Sequence, residues 1–127
     1  MVGRSFDPET LDLLDESEEV HIETSSDADS PERRTIIWVV VVEGEVFVRS
    51  VQGQKGRWYQ RISAHPEAAV IAGDTSIPVR AAPATDEETV DAVSAAFRSK
   101  YEEKWPGPTA GMMRPATLPT TLKLSPA

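Results

Sequence analysis

The chain has 127 residues, 39% of them hydrophobic, with 21 Asp and Glu against 13 Lys and Arg for a formal net charge of −8; this predicts one folded domain, residues 1–127, rather than a disordered chain. The absence of Cys excludes disulfides, thiolate metal sites and a cysteine nucleophile, and the only histidines, His21 and His65, are too few and too far apart for a metal site or a triad. The start lacks an apolar leader core, and the longest apolar run, residues 36–42, falls far short of the roughly 20 residues that cross a bilayer, so a soluble, cytoplasmic protein without membrane association is expected.

Asp7 and Pro8 open a short helix, Asp7 as cap and Pro8 at the first helical position, with Phe6 placed to pack on Leu11; it ends near Glu16. Residues 20–24 (VHIET) alternate as a strand with one wet face, and the polar run 25–32 reads as a loop. Residues 35–42 (TIIWVVVV) are β-branched almost throughout without alternation, which predicts one strand buried on both faces, as in the middle of a barrel or sandwich. Glu43-Gly44 turns into residues 45–51, where Val46, Val48 and Ser50 share one face and Phe47, Arg49 and Val51 the other. Trp58 and Ile62 mark a short amphipathic helix starting near Gly56 and stopped by His65-Pro66. A second hairpin spans 68–72 and 76–81 around Gly73-Asp74-Thr75, with Pro78 marking an edge or a bulge. Residues 85–104 form the longest helix, with Thr85 and Glu88 spaced as a capping box and Val90, Val93, Phe97 and Tyr101 at helical spacing. After a Pro- and Gly-rich loop, residues 117–124 alternate as a closing strand. Hairpin-joined strands with few helices predict a mainly β fold with flanking helices, a small six-stranded antiparallel barrel.

The charge is unevenly spread. Residues 1–45 hold 13 acids and 3 bases, whereas residues 46–82 hold 2 acids and 5 bases, and the stretch 49–66 contains Arg49, Lys55, Arg57 and Arg61 with no acid. Net acidity and only four clustered cations argue against nucleic-acid binding. No GxGxxG, GxxxxGK[ST], GxSxG or HExxH motif is present, and the carboxylate runs fall on helix ends and loops, where solvation is the default role. The cationic stretch is different: Arg49, Ser50, Lys55, Gly56 and Arg57 combine guanidinium, ammonium and backbone amides at a strand end, a loop and a helix start, a composition suited to one phosphate group. Trp58 and Tyr59 follow directly and could pack on an aromatic ring, although Trp58 with Ile62 also has the spacing of a core contact. Trp38 fits the core or a pocket wall; His65 is explained as a helix stop, His21 and Arg80 as solvent-facing, and Met112, Met113 and Arg114 as a lid over a pocket, a partner surface or a disordered loop.

The segments FDPETL at 6–11, RTIIWVVV at 34–41, VRSV at 48–51 leading to KGRWY at 55–59, AHP at 64–66 and LPTTL at 118–122 resemble the family known as domain of unknown function 2255. That resemblance implies the FMN-binding split-barrel superfamily, which includes pyridoxamine-phosphate oxidases and deazaflavin (F420)-dependent nitroreductases. It implies a homodimer, FMN or F420 as cofactor without a metal, and an oxidoreductase acting on a small organic substrate. Arg49, Ser50, Lys55, Gly56 and Arg57 would then cradle the cofactor phosphate, with Trp58 and Tyr59 beside it and Trp38 near the cofactor's ring. The alternative is a non-redox small-molecule-binding or accessory protein on the same barrel.

Overall fold

The computed structural model describes residues 5–24 and 33–127; the expected loop at 25–32 lies outside them. Helix α1 (Pro8–Glu16) starts as expected, with the Asp7 carboxylate accepting the Thr10 amide at 2.8 Å. Strands β1 (Val20–Thr24), β2 (Arg33–Ile37), β3 (Val39–Val42) and β4 (Glu45–Val48) follow, then α2 (Arg57–Ala64), the hairpin β5 (Glu67–Ala72) and β6 (Thr75–Pro83), helices α3 (Glu87–Tyr101) and α4 (Pro106–Gly111), and β7 (Leu122–Pro126). All seven strands join one antiparallel sheet in the order β2-β1-β5-β6-β7-β4-β3.

The expected single strand over 35–42 is two strands, which raises the count from six to seven. Ile37 pairs with Val20 of β1, and two residues later Val39 pairs with Val48 of β4. Trp38 belongs to neither ladder, yet β2 and β3 are the two ends of the sheet order. A chain that passes between opposite sheet edges within about 7 Å forces those edges together, so the sheet curls into a half-barrel with its seam at Trp38.

Burial follows this geometry. Val39, Val46 and Val48 point into the barrel with Ile22, Ile37, Val70, Val79, Leu122 and Leu124, and Trp58 and Ile62 of α2 and Leu14 of α1 join them. The opposite face of β3 and β4 presents Val40 and Phe47 to Val93, Phe97 and Tyr101 of α3. Val39 and Val40 of β3 are buried on opposite faces because α3 covers the outer one, but β2 and β3 are both terminal strands of the sheet and not the middle strand expected, and Ile36 of β2 remains 58% exposed. Glu43 and Gly44 both take positive φ, 50° and 79°, the conformation of the tight hairpin turn. Pro78 lies in a strand flanked on both sides, but opposite the point where β7 ends, with its carbonyl accepting the Ala127 amide. Helix α3 is capped by Asp86, not Thr85: the Asp86 carboxylate accepts both the Thr89 amide and its hydroxyl. The expected loop after Trp105 contains α4, with Pro at its start, and the closing strand begins at Leu122, after a 3-10 turn at Leu118–Thr120, instead of at Thr117. No helix among the described residues is long and apolar enough to cross a membrane.

The last turn of α3 holds the seam. The Tyr101 hydroxyl accepts the Val39 amide at 3.2 Å and faces the carbonyls of Val39 and Glu18 at 3.0 and 2.8 Å as donor. The Lys100 ammonium donates to Leu14 and Val39 carbonyls at 3.0 and 2.7 Å. Tyr101→Phe is predicted to cost about 1–3 kcal/mol by stranding buried backbone groups, read as a lower urea midpoint with unchanged slope. Burial pulls the Lys100 pKa down to about 8, against smaller opposing effects of Asp15 and Glu18. Between that value and the ordinary value of 10.5 the unfolded chain binds a proton that the folded chain does not, so this residue's contribution to stability rises with pH across that window. Lys100→Met is predicted to remove that rise, measured as the difference between the two proteins' unfolding free energies at pH 8 and pH 10.

Candidate functional site

The seam opens into a cavity of about 470 Å³, within the range of pockets that hold small ligands. One wall is the end of β2, from Thr35 to Ile37, running into Trp38; another is Ser50, Val51 and Gln52; Trp58 of α2, Pro108 of α4, Met112 and Glu19 complete it. Trp38 is fixed from behind by Tyr101, stacked at 4.0 Å between ring centroids with planes 5° apart, and by Trp105 at 5.8 Å. Such pairs contribute about 0.5–1.5 kcal/mol beyond burial, so the indole is a rigid wall.

The wall at residues 50–52 is stapled. Ser50 receives the Gly53 amide on its carbonyl at 2.9 Å and donates its hydroxyl to the Gly53 carbonyl at 2.8 Å, and that carbonyl also takes the Gly56 amide at 3.1 Å. A Cβ at Gly56 would collide with the Ser50 hydroxyl, and Gly53 has φ +69° with the Ala116 carbonyl against it. Both glycines are required by close packing, and the Gly56 amide is committed within this turn.

Arg49 faces the other way. It lies on the Phe47 side of the strand, as alternation predicts, but α3 covers that side, leaving Arg49 1% exposed. Its Nε–H goes to Thr121 Oγ1 at 2.8 Å, Nη1 donates to Ser94 Oγ at 2.9 Å and the Met112 carbonyl at 3.2 Å, and Nη2 donates to the Val90 carbonyl at 2.8 Å. The guanidinium also lies 5.5 Å from the Phe97 ring centroid. Burial, then the charge of Arg98, lowers its pKa to about 10, which leaves it cationic at neutral pH. All these partners are neutral, and four of the five N–H groups are spent. Arg49 borders the cavity while tying together β4, α3, the end of α4 and the approach to β7.

A second basin lies on the far side of Thr35, a residue common to both walls. Arg33 and Arg34 of β2 and Arg57 and Arg61 of α2 line an open recess of about 660 Å³. Arg34 Nε binds Glu23 at 2.7 Å, and Arg61 Nε binds Thr24 Oγ1 at 2.8 Å. Burial lowers the pKa of Arg61, and the nearby charges of Arg33 and Arg57 lower it further.

The structure therefore divides the sequence-expected residues. Trp38, Arg49, Ser50 and Trp58 line the seam cavity and Arg57 the recess, while Lys55, Gly56 and Tyr59 line neither. Tyr59 packs edge-on to Trp58 at 6.3 Å, and His21 and His65 are exposed away from both basins. Composition alone missed Arg33 and Arg34, whose signal was only an Arg-Arg pair before a β-branched run; Arg61 was visible in the acid-free stretch. An apolar slot with a rigid indole wall beside a guanidinium cluster suits a planar conjugated ring bearing an anionic group. Among the described residues, no group of three or more His, Asp or Glu could hold a metal ion.

A curled antiparallel half-barrel with a seam cavity of this kind defines the split-barrel class. Solved structures of that class superpose on nearly the whole chain. The heme storage protein HutZ from Vibrio cholerae does so with a TM-score of 0.68 at 14% identity, over 97% of this chain and 91% of that one. A putative pyridoxamine 5'-phosphate oxidase from Listeria innocua gives 0.65 at 14% identity, over 93% and 90%. An F420-H2 dependent reductase, FDR-A, gives 0.62 at 17% identity, over 85% and 94%. Identities this low establish the fold alone. No curated protein matches the chain in sequence. The chain belongs to the family described as uncharacterized protein conserved in bacteria (DUF2255), whose model matches residues 10–124.

Arg49 and Arg57 are predicted to behave oppositely on substitution. Arg49→Lys replaces a fork by a point donor and strands buried acceptors, costing about 2–5 kcal/mol. Arg57→Gln, on the surface, changes stability by less than about 0.5 kcal/mol. Urea midpoints of the two variants check both; comparable small losses would remove Arg49 from its structural role.

Proposed function

We propose that this chain holds a phosphate-bearing flavin or deazaflavin, FMN or F420, with its ring in the seam cavity and its phosphate in the arginine recess, and serves as a reductase of a small organic substrate. The observation that carries the reading is the junction of the two basins: Thr35 borders both, and the adjacent residues Arg57 and Trp58 face one each. When bound, the cofactor supplies the hydride chemistry. The chain's residues bind and shield it. Arg57 and Arg61 hold the anionic group, Arg34 being partly engaged by Glu23. Trp38 and Trp58 offer ring faces and exclude water, and Arg49 keeps the Met112 wall in place through the Met112 carbonyl. Glu19 also borders the cavity. The large exposed hydrophobics Ile36 (58%) and Val51 (54%) both border the cavity, so a second copy covering them would close it, and we propose a homodimer acting as one domain per chain in the cytoplasm.

A second reading, a non-redox holder of a small planar molecule, draws support from the likeness to a heme storage protein. Neither histidine lines the cavity, however, so an iron porphyrin would meet no imidazole in its wall.

Titration of the purified protein with FMN, F420 and riboflavin, followed by absorbance and fluorescence, tests the proposal. FMN is expected to bind more tightly than riboflavin, which lacks the phosphate. In Arg57→Gln/Arg61→Gln that preference is expected to shrink by at least about 2 kcal/mol, since a charge-assisted hydrogen bond is worth roughly 1.5–3 kcal/mol. If neither FMN nor F420 binds, the cofactor reading is lost; an unchanged preference would remove the recess from the site.

A further inference from the structure

We infer that Met113 is a reversible oxidation site, at which hydrogen peroxide converts the thioether to a sulfoxide whose oxygen binds the buried guanidinium of Arg49 and so firms the Met112 wall of the seam cavity.

The surroundings of Arg49 point to it. The guanidinium is cut off from water, yet among the described residues it meets no carboxylate. Its oxygen partners are Thr121 Oγ1, Ser94 Oγ and the carbonyls of Met112 and Val90, which take the Nε–H, both N–H groups of Nη1 and one of Nη2. The second N–H of Nη2 has no oxygen acceptor among the described residues. The remaining contact is the Met113 sulfur, 3.8 Å from Nη1, and a thioether accepts hydrogen bonds only weakly. Burial lowers the Arg49 pKa to about 10, the same deficit of solvation seen in the hold on its proton. A strong acceptor is missing where the sulfur stands.

Oxidation supplies one. The sulfur lone pair attacks one peroxide oxygen, a sulfur–oxygen bond forms as the oxygen–oxygen bond breaks, and the other oxygen leaves as water with both protons. Sulfur is oxidised by two electrons and peroxide reduced by two, which turns an apolar side chain into a polar one. Such a group disrupts an apolar core, but beside a buried cation it makes a charge-assisted hydrogen bond, the stronger kind. Access favours Met113. Met112 is buried and lines the cavity, whereas Met113 is half-buried in the turn after α4, its amide on the Ala110 carbonyl at 3.1 Å. Peroxide reaches the Met113 sulfur from solvent, and the flexible side chain lets the new oxygen turn toward Arg49. Arg49 Nη1 also holds the Met112 carbonyl, so a firmer clamp passes to the cavity wall one residue away. None of these contacts depends on what the cavity holds.

The test treats the full chain with dilute hydrogen peroxide, places the added oxygen by peptide mass spectrometry and follows thermal unfolding by circular dichroism. Oxygen is expected on Met113 before Met112, with the midpoint raised by about 3 °C or more, the shift that a gain of one strong contact produces in a domain of this size. The two methionine sulfoxide reductases, each acting on one epimer, are expected together to restore the starting midpoint. Amide hydrogen exchange across residues 108–114 is expected to slow on oxidation. Met113→Gln, which puts an amide oxygen in the same place, is expected to raise the midpoint without peroxide, Met113→Leu to abolish the peroxide effect and Met112→Leu to keep it. A midpoint that falls or stays put when Met113 is oxidised, a rise that persists in Met113→Leu, first oxidation at Met112, or unchanged exchange across 108–114 each overturns the inference. If Met113→Leu does not fold, Met113→Gln decides: a midpoint no higher than that of the parent chain overturns it.

Discussion

The chain crosses from one edge of its sheet to the other at a single residue, and most of the architecture depends on that crossing. Ile37 ends the ladder with β1 and Val39 begins the ladder with β4, while β2 and β3 never pair with each other. The strands must curl to bring both edges to Trp38, yet the edges cannot close there. What remains is a seam with backbone on both sides and an indole between them. A gap of that kind exposes apolar surface unless something stabilises it, and α3 provides this from outside. Tyr101 stacks on Trp38 and bonds both backbone groups of Val39, and Lys100 adds a bond to the same carbonyl while reaching α1. Each net bond contributes only about 0.5–1.5 kcal/mol, but they converge on two residues and specify where the sheet divides.

Arg49 is the second fixed point, and it shows how a charge can be structural. A buried cation usually meets a carboxylate, because desolvation costs several kcal/mol. Here the partners are two carbonyls and two hydroxyls contributed by α3, by the segment after α4 and by the residue before β7, with the Phe97 ring beneath. Neutral acceptors spread over three elements compensate the charge while fixing their relative positions. The Met112 wall of the cavity is held in this way, so Arg49 shapes the site from behind its surface.

Features set by neighbours in the chain were legible in the sequence. Asp7 and Pro8 start α1, Glu43-Gly44 turns β3 into β4, Trp58 and Ile62 share the buried face of α2, and Gly73-Asp74 turns β5 into β6. Strand parity also placed Arg49 correctly beside Phe47. Its fate depended on which element covers that face, and α3 lies more than 40 residues away, where no local pattern reaches. The break at Trp38 was hidden for a related reason. β-branched residues suit an edge strand and a buried strand alike, and no Gly, Pro or polar residue marks the point where the pairing partner changes. Asp86 and Thr85 are both competent caps, and only the entry angle of the chain into α3 decides between them. The recess was half visible: Arg57 and Arg61 stood out as cations without neighbouring acids, but Arg33 and Arg34 join them only through the pairing of β2 with β1 and the packing of α2 against β1.

This division explains how an acidic chain can hold a cationic site. At physiological ionic strength charges interact over about 8 Å, so among the described residues a ligand inside the recess responds mainly to its arginines and Glu23, and little to the acids of α1 or α3. Farther out, the net charge of −8 opposes the approach of any long polyanion. Under the proposed function this arrangement admits anions no longer than the recess itself. The selectivity is strengthened by the use of arginine throughout, because a planar fork keeps its charge and orientation in a crowded cluster where neighbouring lysines would lower one another's pKa. The apolar cavity beyond Thr35 then separates ligands further, since an anion without a flat apolar body gains from the recess alone, whereas one that carries a ring gains from both basins at once.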